Sequence, residues 1–328
     1  MTTPPVLSVQ DLRVEIAGQP VVDGVTFDIA AGETLAVVGE SGCGKSMASL
    51  GIIRLLPDVA RQTTGQVMLE GARIDTLPER RMNGLRGARI GMIFQEPVAS
   101  LDPLMPVGKQ IAEALALDGA VPTAEVQPRM LEMLERVGID RPELRARQYP
   151  FELSGGMCQR IMIAMTMIRR PVLLIADEPT TALDVTIQKQ ILDLMAKMRH
   201  DTGAAVMLIT HDMGVVAESA DRVAVMYAGR VVETGPVAQV FARPRHPYTT
   251  MLLRTIPRLD GTRKVPLPAI PGAVPDIRSW PKGCRFNTRC PLATEQCRSA
   301  VPLLEPSGSP GHASACWNRD RIETELAP

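Results

Sequence analysis

The segment Gly39-Glu40-Ser41-Gly42-Cys43-Gly44-Lys45-Ser46 constrains this chain more than any other. An apolar run, Thr34 to Val38, precedes it and a helical pattern, Lys45 to Leu56, follows it. A glycine-rich turn thus joins a buried strand to a helix, the context that G-x-x-x-x-G-K-[S/T] requires. The glycines let backbone N–H groups turn inward onto phosphate oxygens, and the helix N-terminus adds its dipole. Lys45 is expected to reach the β- and γ-phosphates of ATP, and the Ser46 hydroxyl to bind Mg²⁺. Gly39, Ser41, Gly42, Cys43, Gly44, Lys45 and Ser46 are therefore the expected nucleotide contacts. Cys43 reads as a small filler, although Lys45 and the helix N-terminus are features that lower a thiol pKa.

The rest of the chain fits an α/β fold around that loop. Arg89–Phe94, Val172–Ala176, Ala205–Ile209 and Val223–Met226 are short, near-continuous apolar runs, as a mainly parallel sheet covered on both faces demands. Lys45–Leu56, Gln159–Arg169 and Val185–Arg199 read as helices between them. The expectation is a P-loop NTPase core. Leu7 to Ile29 alternates and turns at Ala17-Gly18-Gln19-Pro20, which predicts an antiparallel β subdomain. A helical insertion, about residues 97–157, carries the patterns Val107–Leu117 and Val126–Val137. Beyond Arg258, Pro266, Pro268, Pro271, Pro275 and Pro281 exclude long regular elements. The expected division is residues 1–257 as the nucleotide-binding domain and 258–328 as a loop-rich extension.

Composition narrows the function classes. The 328 residues carry no net charge and only 3% aromatic residues, so neither a general basic field nor base-stacking surfaces for nucleic acid are expected. The longest apolar runs are strand-sized, far below the roughly 20 residues of a membrane-spanning helix. Met1 to Gln10 lacks the basic and apolar regions of a signal peptide. A cytosolic chain is expected, reaching a membrane through a partner.

Asp177 and Glu178 end the run Val172 to Ala176. A carboxylate pair beside an apolar strand is costly unless a cation meets it, and the Mg²⁺ of ATP supplies one. Asp177 would orient the metal and Glu178 would polarise the attacking water as general base. Ser154-Gly155-Gly156 precedes a helix and, taken alone, is explained by an N-cap. A lone histidine such as His211 at a strand end reads as structural. The order of phosphate loop, Gln95, Ser-Gly-Gly, Asp-Glu and His211 alters both readings. In that order the chain resembles the ATPase subunits of ABC transporters, over roughly residues 6–256.

The resemblance implies roles position by position. Gln95 resembles the Q-loop glutamine, which contacts Mg²⁺ and the attacking water and links the site to the transmembrane subunits. Ser154, Gly155 and Gly156 resemble the signature motif, which completes the γ-phosphate site of the opposite subunit. Ala182-Leu183-Asp184 resembles the D-loop at the dimer interface, and His211 the switch histidine on the γ-phosphate. Mg²⁺ is thereby assigned Ser46, Gln95 and Asp177. The family stacks adenine on an aromatic residue ahead of the phosphate loop. Here Val14-Glu15-Ile16-Ala17-Gly18 has none, and Ile16 offers apolar contact only.

Three features resemble the oligopeptide and dipeptide importer branch, which also includes nickel importers. They are the stretch Phe94 to Pro103, Met157 at the end of the signature, and His246 to Leu253 at the junction to the extension. The extension holds Cys284, Cys290, Cys297 and Cys316, four of the six cysteines. From spacing alone Zn²⁺, an iron–sulfur cluster and free or oxidised thiols all stay open. The resemblance favours a [4Fe–4S] cluster with a structural role. It also implies two transmembrane permease subunits, a second ATPase subunit, identical or homologous, and an extracytoplasmic binding protein, with this chain peripheral on the cytoplasmic face of the inner membrane. Two other classes compete: a soluble ABC ATPase of DNA repair or translation, and a subunit that binds ATP without hydrolysing it. The first often carries two cassettes or basic insertions, which are missing here. Glu178 and His211 argue against the second.

Overall fold

The computed structural model describes residues 4–117, 119, 121–181, 183–256 and 269–326. The chain forms two compact units. One, the phosphate-loop unit, comprises Leu7–Ile29, Glu33–Asp75 and Leu208–Pro328; the other, the helical unit, comprises Met1–Val6, Ala30–Gly32 and Thr76–Met207.

In the phosphate-loop unit, β1 (Leu7–Ile16) and β2 (Gln19–Ile29) form the expected hairpin. β3 (Thr34–Val38) is buried at every position, as its unbroken apolar sequence requires. It leads through the phosphate loop into α1 (Lys45–Ile52). That helix stops short of the Leu56 expected from its pattern. Arg54 sits at φ 56°, in the left-handed region, and Leu55 N–H turns back to Leu50 O at 2.9 Å. Pro57 then bars continuation. β4 (Ala60–Leu69) pairs antiparallel with β1, and β5 (Ala72–Arg73) with β4, giving the sheet order β2-β1-β4-β5. β4 is absent from the sequence expectations, since Ala60-Arg61-Gln62-Thr63-Thr64-Gly65 is mostly polar.

The helical unit opens with α2 (Glu79–Leu85) and β6 (Ile90–Ile93). The insertion follows as α3 (Val107–Ala116), α4 (Thr123–Arg136), α5 (Pro142–Arg145) and α6 (Gly155–Met167). α3 buries Val107, Ile111 and Leu115, and α4 buries Met130, Met133 and Leu134, the three- and four-residue spacings of amphipathic helices. β7 (Leu173–Asp177) is fully buried and pairs parallel with β6. α7 (Val185–Thr202) ends on Gly203 in the left-handed conformation. β8 (Ala205–Thr210), buried throughout, carries the chain back to the phosphate-loop unit.

That unit is completed by α8 (Met213–Ser219), β9 (Arg222–Tyr227), β10 (Arg230–Pro236), α9 (Val237–Ala242) and α10 (Pro247–Arg254). β9 pairs parallel with β3 and antiparallel with β10. Past the undescribed residues 257–268, which include Pro266 and Pro268, the elements are short: α11 (Glu295–Ser299), β11 (Glu305–Pro306), β12 (Ala313–Ser314) and α12 (Ile322–Glu325). β12 pairs with β10, and Phe286 joins the core formed by Val223, Val225, Tyr227, Val240 and Tyr248. The proline-rich segment thus packs into the phosphate-loop unit. Among the described residues no helix is long and apolar enough to cross a membrane.

Candidate functional site

The phosphate loop is shaped by close approaches that only glycine tolerates. Gly39 sits at φ 154°, and a Cβ there would lie 2.2 Å from Met226 O and 2.8 Å from Cys43 Sγ. Gly44, at φ 101°, would carry a Cβ 2.5 Å from Val21 O. Gly44 also occupies the N-cap of α1, where no side chain bonds the first-turn amides. A helix start left without a side-chain cap presents its N–H donors to an anion. Lys45 is 5% exposed, and its Nζ donates to Gly39 O at 2.8 Å and Glu40 O at 3.1 Å, with Cys43 Sγ at 3.8 Å. These three partners are neutral dipoles, so none of them balances the charge of the buried ammonium. A nucleotide phosphate supplies the balancing charge, and the loop therefore fits the group its motif implies. Ser46 lies half-buried in the first turn of α1, and Ser41 and Gly42 are exposed at the loop tip.

Cys43 is fully buried, and burial pushes its thiol up despite Lys45. Desolvation of the thiolate outweighs the pull of the neighbouring ammonium, so Lys45 does not lower this thiol. The backbone of Cys43 is structural, its carbonyl accepting from Gly229 N–H at 2.9 Å.

Ile16 lies half-buried at the end of β1, opposite Gln19 on one side and Ala60 on the other. His211 follows β8 and is exposed. The adjacent Asp212 caps α8, its Oδ1 accepting from Gly214 N–H at 2.7 Å and Val215 N–H at 3.3 Å.

In the helical unit, Asp177 is the last residue of β7 and is 6% exposed. Glu178 follows at φ 47°, a left-handed backbone that costs a non-glycine residue about 1 kcal/mol or more. Its Oε2 accepts from Gln95 Nε2 at 3.2 Å and from Thr181 Oγ1 at 2.8 Å. Gln95 and Glu178, 83 positions apart in sequence, thus meet. Thr181 is absent from the sequence expectations; its signal was its position three residues beyond Glu178 in a turn, where a hydroxyl reaches back. Ser154 caps α6 and accepts from Met157 N–H at 3.3 Å, which starts that helix four residues ahead of the expected Gln159. Asp184 caps α7, accepting from Ile187 N–H at 3.0 Å. A Cβ on Gly156 would lie 3.1 Å from Ile187 Cγ2, so the Ser-Gly-Gly turn and the Asp184 turn adjoin. Gly155 has open space around its Cα. Ala182 lies outside the described residues.

The four extension cysteines line one pocket, together with His246 and Phe286. Burial, reinforced by the neighbouring thiols, pushes Cys290 up to about 11 and Cys316 to about 12, and raises Cys284 as well. Cys297 Sγ lies 3.5 Å from the Asn318 Nδ2 donor and 3.3 Å from Thr294 Oγ1. Among the described residues, no three His, Cys, Asp or Glu side chains gather in a way that could hold a single metal ion.

The ABC transporter family matches residues 22–181, and the oligopeptide/dipeptide transporter C-terminal region matches residues 232–297. The "Probable peptide ABC transporter ATP-binding protein y4tR" of Sinorhizobium fredii is 50% identical over 321 residues, 96% of each chain. This chain belongs to the ATP-binding subunits of peptide ABC transporters. The dipeptide transport ATP-binding protein DppD of Bacillus subtilis is 47% identical over 96% of this chain and 95% of its own length. Among solved structures, the dimeric post-hydrolysis ATP-binding cassette MJ0796, bound to ADP and Pi, aligns with TM-score 0.63 and 27% identity over 70% of this chain and 98% of its own. The family is a P-loop α/β ATPase, as the phosphate loop and the parallel strands imply.

Proposed function

We propose that this chain is the ATP-hydrolysing subunit that energises a membrane importer of dipeptides or oligopeptides. The observation that carries the reading is the buried Lys45 ammonium, held by neutral carbonyls in a glycine-shaped loop, in a chain whose relatives are named for peptide transport. The nucleotide contacts are Gly39, Ser41, Gly42, Cys43, Gly44, Lys45 and Ser46, with Ile16 as an apolar contact for the base. Mg²⁺ takes Ser46, Gln95 and Asp177. Glu178 is the general base, Gln95 orients the water, and His211 bonds the γ-phosphate. Ser154, Gly155, Gly156 and Asp184 serve the site of a second ATPase subunit, so hydrolysis is conditional on closure of a dimer. The chain works as residues 1–257, with a helical part at about 97–157, and an extension, 258–328. Its partners are two permeases, another ATPase subunit and an extracytoplasmic binding protein, with this chain on the cytoplasmic face. The relatives' names speak for peptides over nickel.

The test is reconstitution of the chain with its permeases in vesicles, with phosphate release followed as binding protein and peptide are added. Stimulation by peptide-loaded binding protein is the expected result. Stimulation by nickel alone, or equal activity without permeases, would refute peptide import.

The cysteine pocket is proposed to hold a [4Fe–4S] cluster on Cys284, Cys290, Cys297 and Cys316. What supports the reading is the donor set: four thiols lining one pocket, the complement that a [4Fe–4S] cluster takes. The group's task is to hold a segment with little core of its own. Protein purified without oxygen should contain about four irons and four sulfides per chain. One zinc and no iron would reassign the pocket.

A further inference from the structure

Arg289 precedes Cys290 in the extension, yet its side chain ends on the phosphate loop. Its guanidinium grips Glu40, the second residue of the loop, with both terminal nitrogens: Nη1 donates to Oε2 at 2.7 Å and Nη2 to Oε1 at 3.0 Å. The remaining contacts fix the guanidinium itself. Nε donates to Pro271 O at 2.7 Å, Nη2 reaches Ile270 O at 3.3 Å, and Nη1 reaches Tyr227 Oη at 3.3 Å. The side chain is 4% exposed. A planar fork bound on every edge has one orientation, and a bidentate carboxylate pair transmits it.

Glu40 is held as tightly at its backbone. Its N–H donates to Tyr248 Oη at 2.8 Å, and its carbonyl accepts from Lys45 Nζ at 3.1 Å and Cys43 N–H at 3.3 Å. Moving Glu40 therefore moves the carbonyl that positions the lysine ammonium. The route from the cysteine pocket to that ammonium is Cys290, Arg289, Glu40, Lys45, all within one compact unit.

We propose that Arg289 is a positioning residue for the nucleotide cradle, through which docking of the extension onto the phosphate loop sets the affinity for ATP. This rests on the ATPase reading and adds a regulatory input to it. With the fork seated on its carbonyls, Glu40 is fixed and the loop stands ready. Where the fork is removed, Glu40 is released, and the loop must be ordered by the nucleotide itself. Preorganisation converts into affinity because ordering no longer opposes binding.

The test measures the affinity of the full-length chain for a fluorescent ATP analogue with Mg²⁺. Arg289→Ala and Glu40→Gln should each weaken binding about tenfold, the scale of one charge-assisted hydrogen-bonded link. The double variant should bind no more weakly than the weaker single, because both break one connection. Arg289→Lys, a point charge without the fork, should fall between. The thermal unfolding midpoint of the Glu40→Gln protein should lie within about 2 °C of wild type, which a general loss of structure would not permit. Affinity within twofold of wild type in Arg289→Ala, or losses that multiply in the double variant, would overturn the proposal. If Arg289→Ala does not fold, Glu40→Gln decides alone, since it leaves the extension's own residues intact. Wild-type protein that binds no nucleotide would instead overturn the ATPase reading.

Discussion

Glu178→Gln is expected to bind ATP as wild type does and to lose turnover by about 10²- to 10⁴-fold, the range of a general base. The amide is isosteric and its oxygen still accepts from Gln95 and Thr181, which in wild type hold the carboxylate at 3.2 and 2.8 Å. The backbone at φ 47° is unaffected, because Gln meets the same left-handed requirement as Glu. What disappears is an oxygen basic enough to take a proton from water. ATP then stays intact, and an ATP-bound dimer should accumulate, visible by light scattering as a doubling of mass that wild type shows only transiently. Phosphate release within threefold of wild type would show that another group is the base.

Phe286→Ala should produce the largest loss of stability, about 3–5 kcal/mol, because a large ring is removed from a filled core. Phe286 is 1% exposed and contacts Tyr227 and Tyr248 at ring-centroid distances of 5.1 and 5.4 Å, and His246 at 5.8 Å. Tyr248 in turn bonds the phosphate loop. The midpoint of thermal unfolding should drop by roughly 10 °C for a unit of this size, and Phe286→Leu should recover most of it. A drop below about 2 °C would mean that the extension docks only loosely and that the aromatic cluster does not support the loop.

The parts legible in sequence are those where one residue type answers to one physical demand. The fully buried β3, β7 and β8 announce themselves as unbroken apolar runs. The phosphate loop does so through glycines at positions where a Cβ would strike backbone. β4 is illegible because its first half is polar and its pairing partner β1 lies some 50 residues away, with Leu7 opposite Leu69. β12 is a two-residue strand whose place beside β10 depends on contacts that no periodicity records. Composition reads residues 258–328 as an appendage because prolines dominate there. It misses Phe286, Arg285 and Arg289, each of which gains its meaning from a residue more than 35 positions distant. Arg285 joins Arg13 and Arg230 around the buried Asp23, an arrangement of three guanidiniums on one carboxylate that no local pattern announces. Within the site, Gln95 and Glu178 are found by motif order, whereas Thr181 needed the turn itself.

The Lys45 ammonium, bonded to Gly39 O and Glu40 O, has a consequence for the working cycle. Two of its three N–H donors are taken by the loop's own carbonyls, and the third meets only the weak acceptor Cys43 Sγ at 3.8 Å. On the proposed reading a phosphate replaces only that weakest contact, and the two carbonyl bonds stay. The net affinity is smaller than the gross attraction between ammonium and phosphate. The ammonium is then held in the same place with or without a nucleotide, so little ordering opposes binding. Such self-ligation keeps the cradle in shape between one nucleotide and the next.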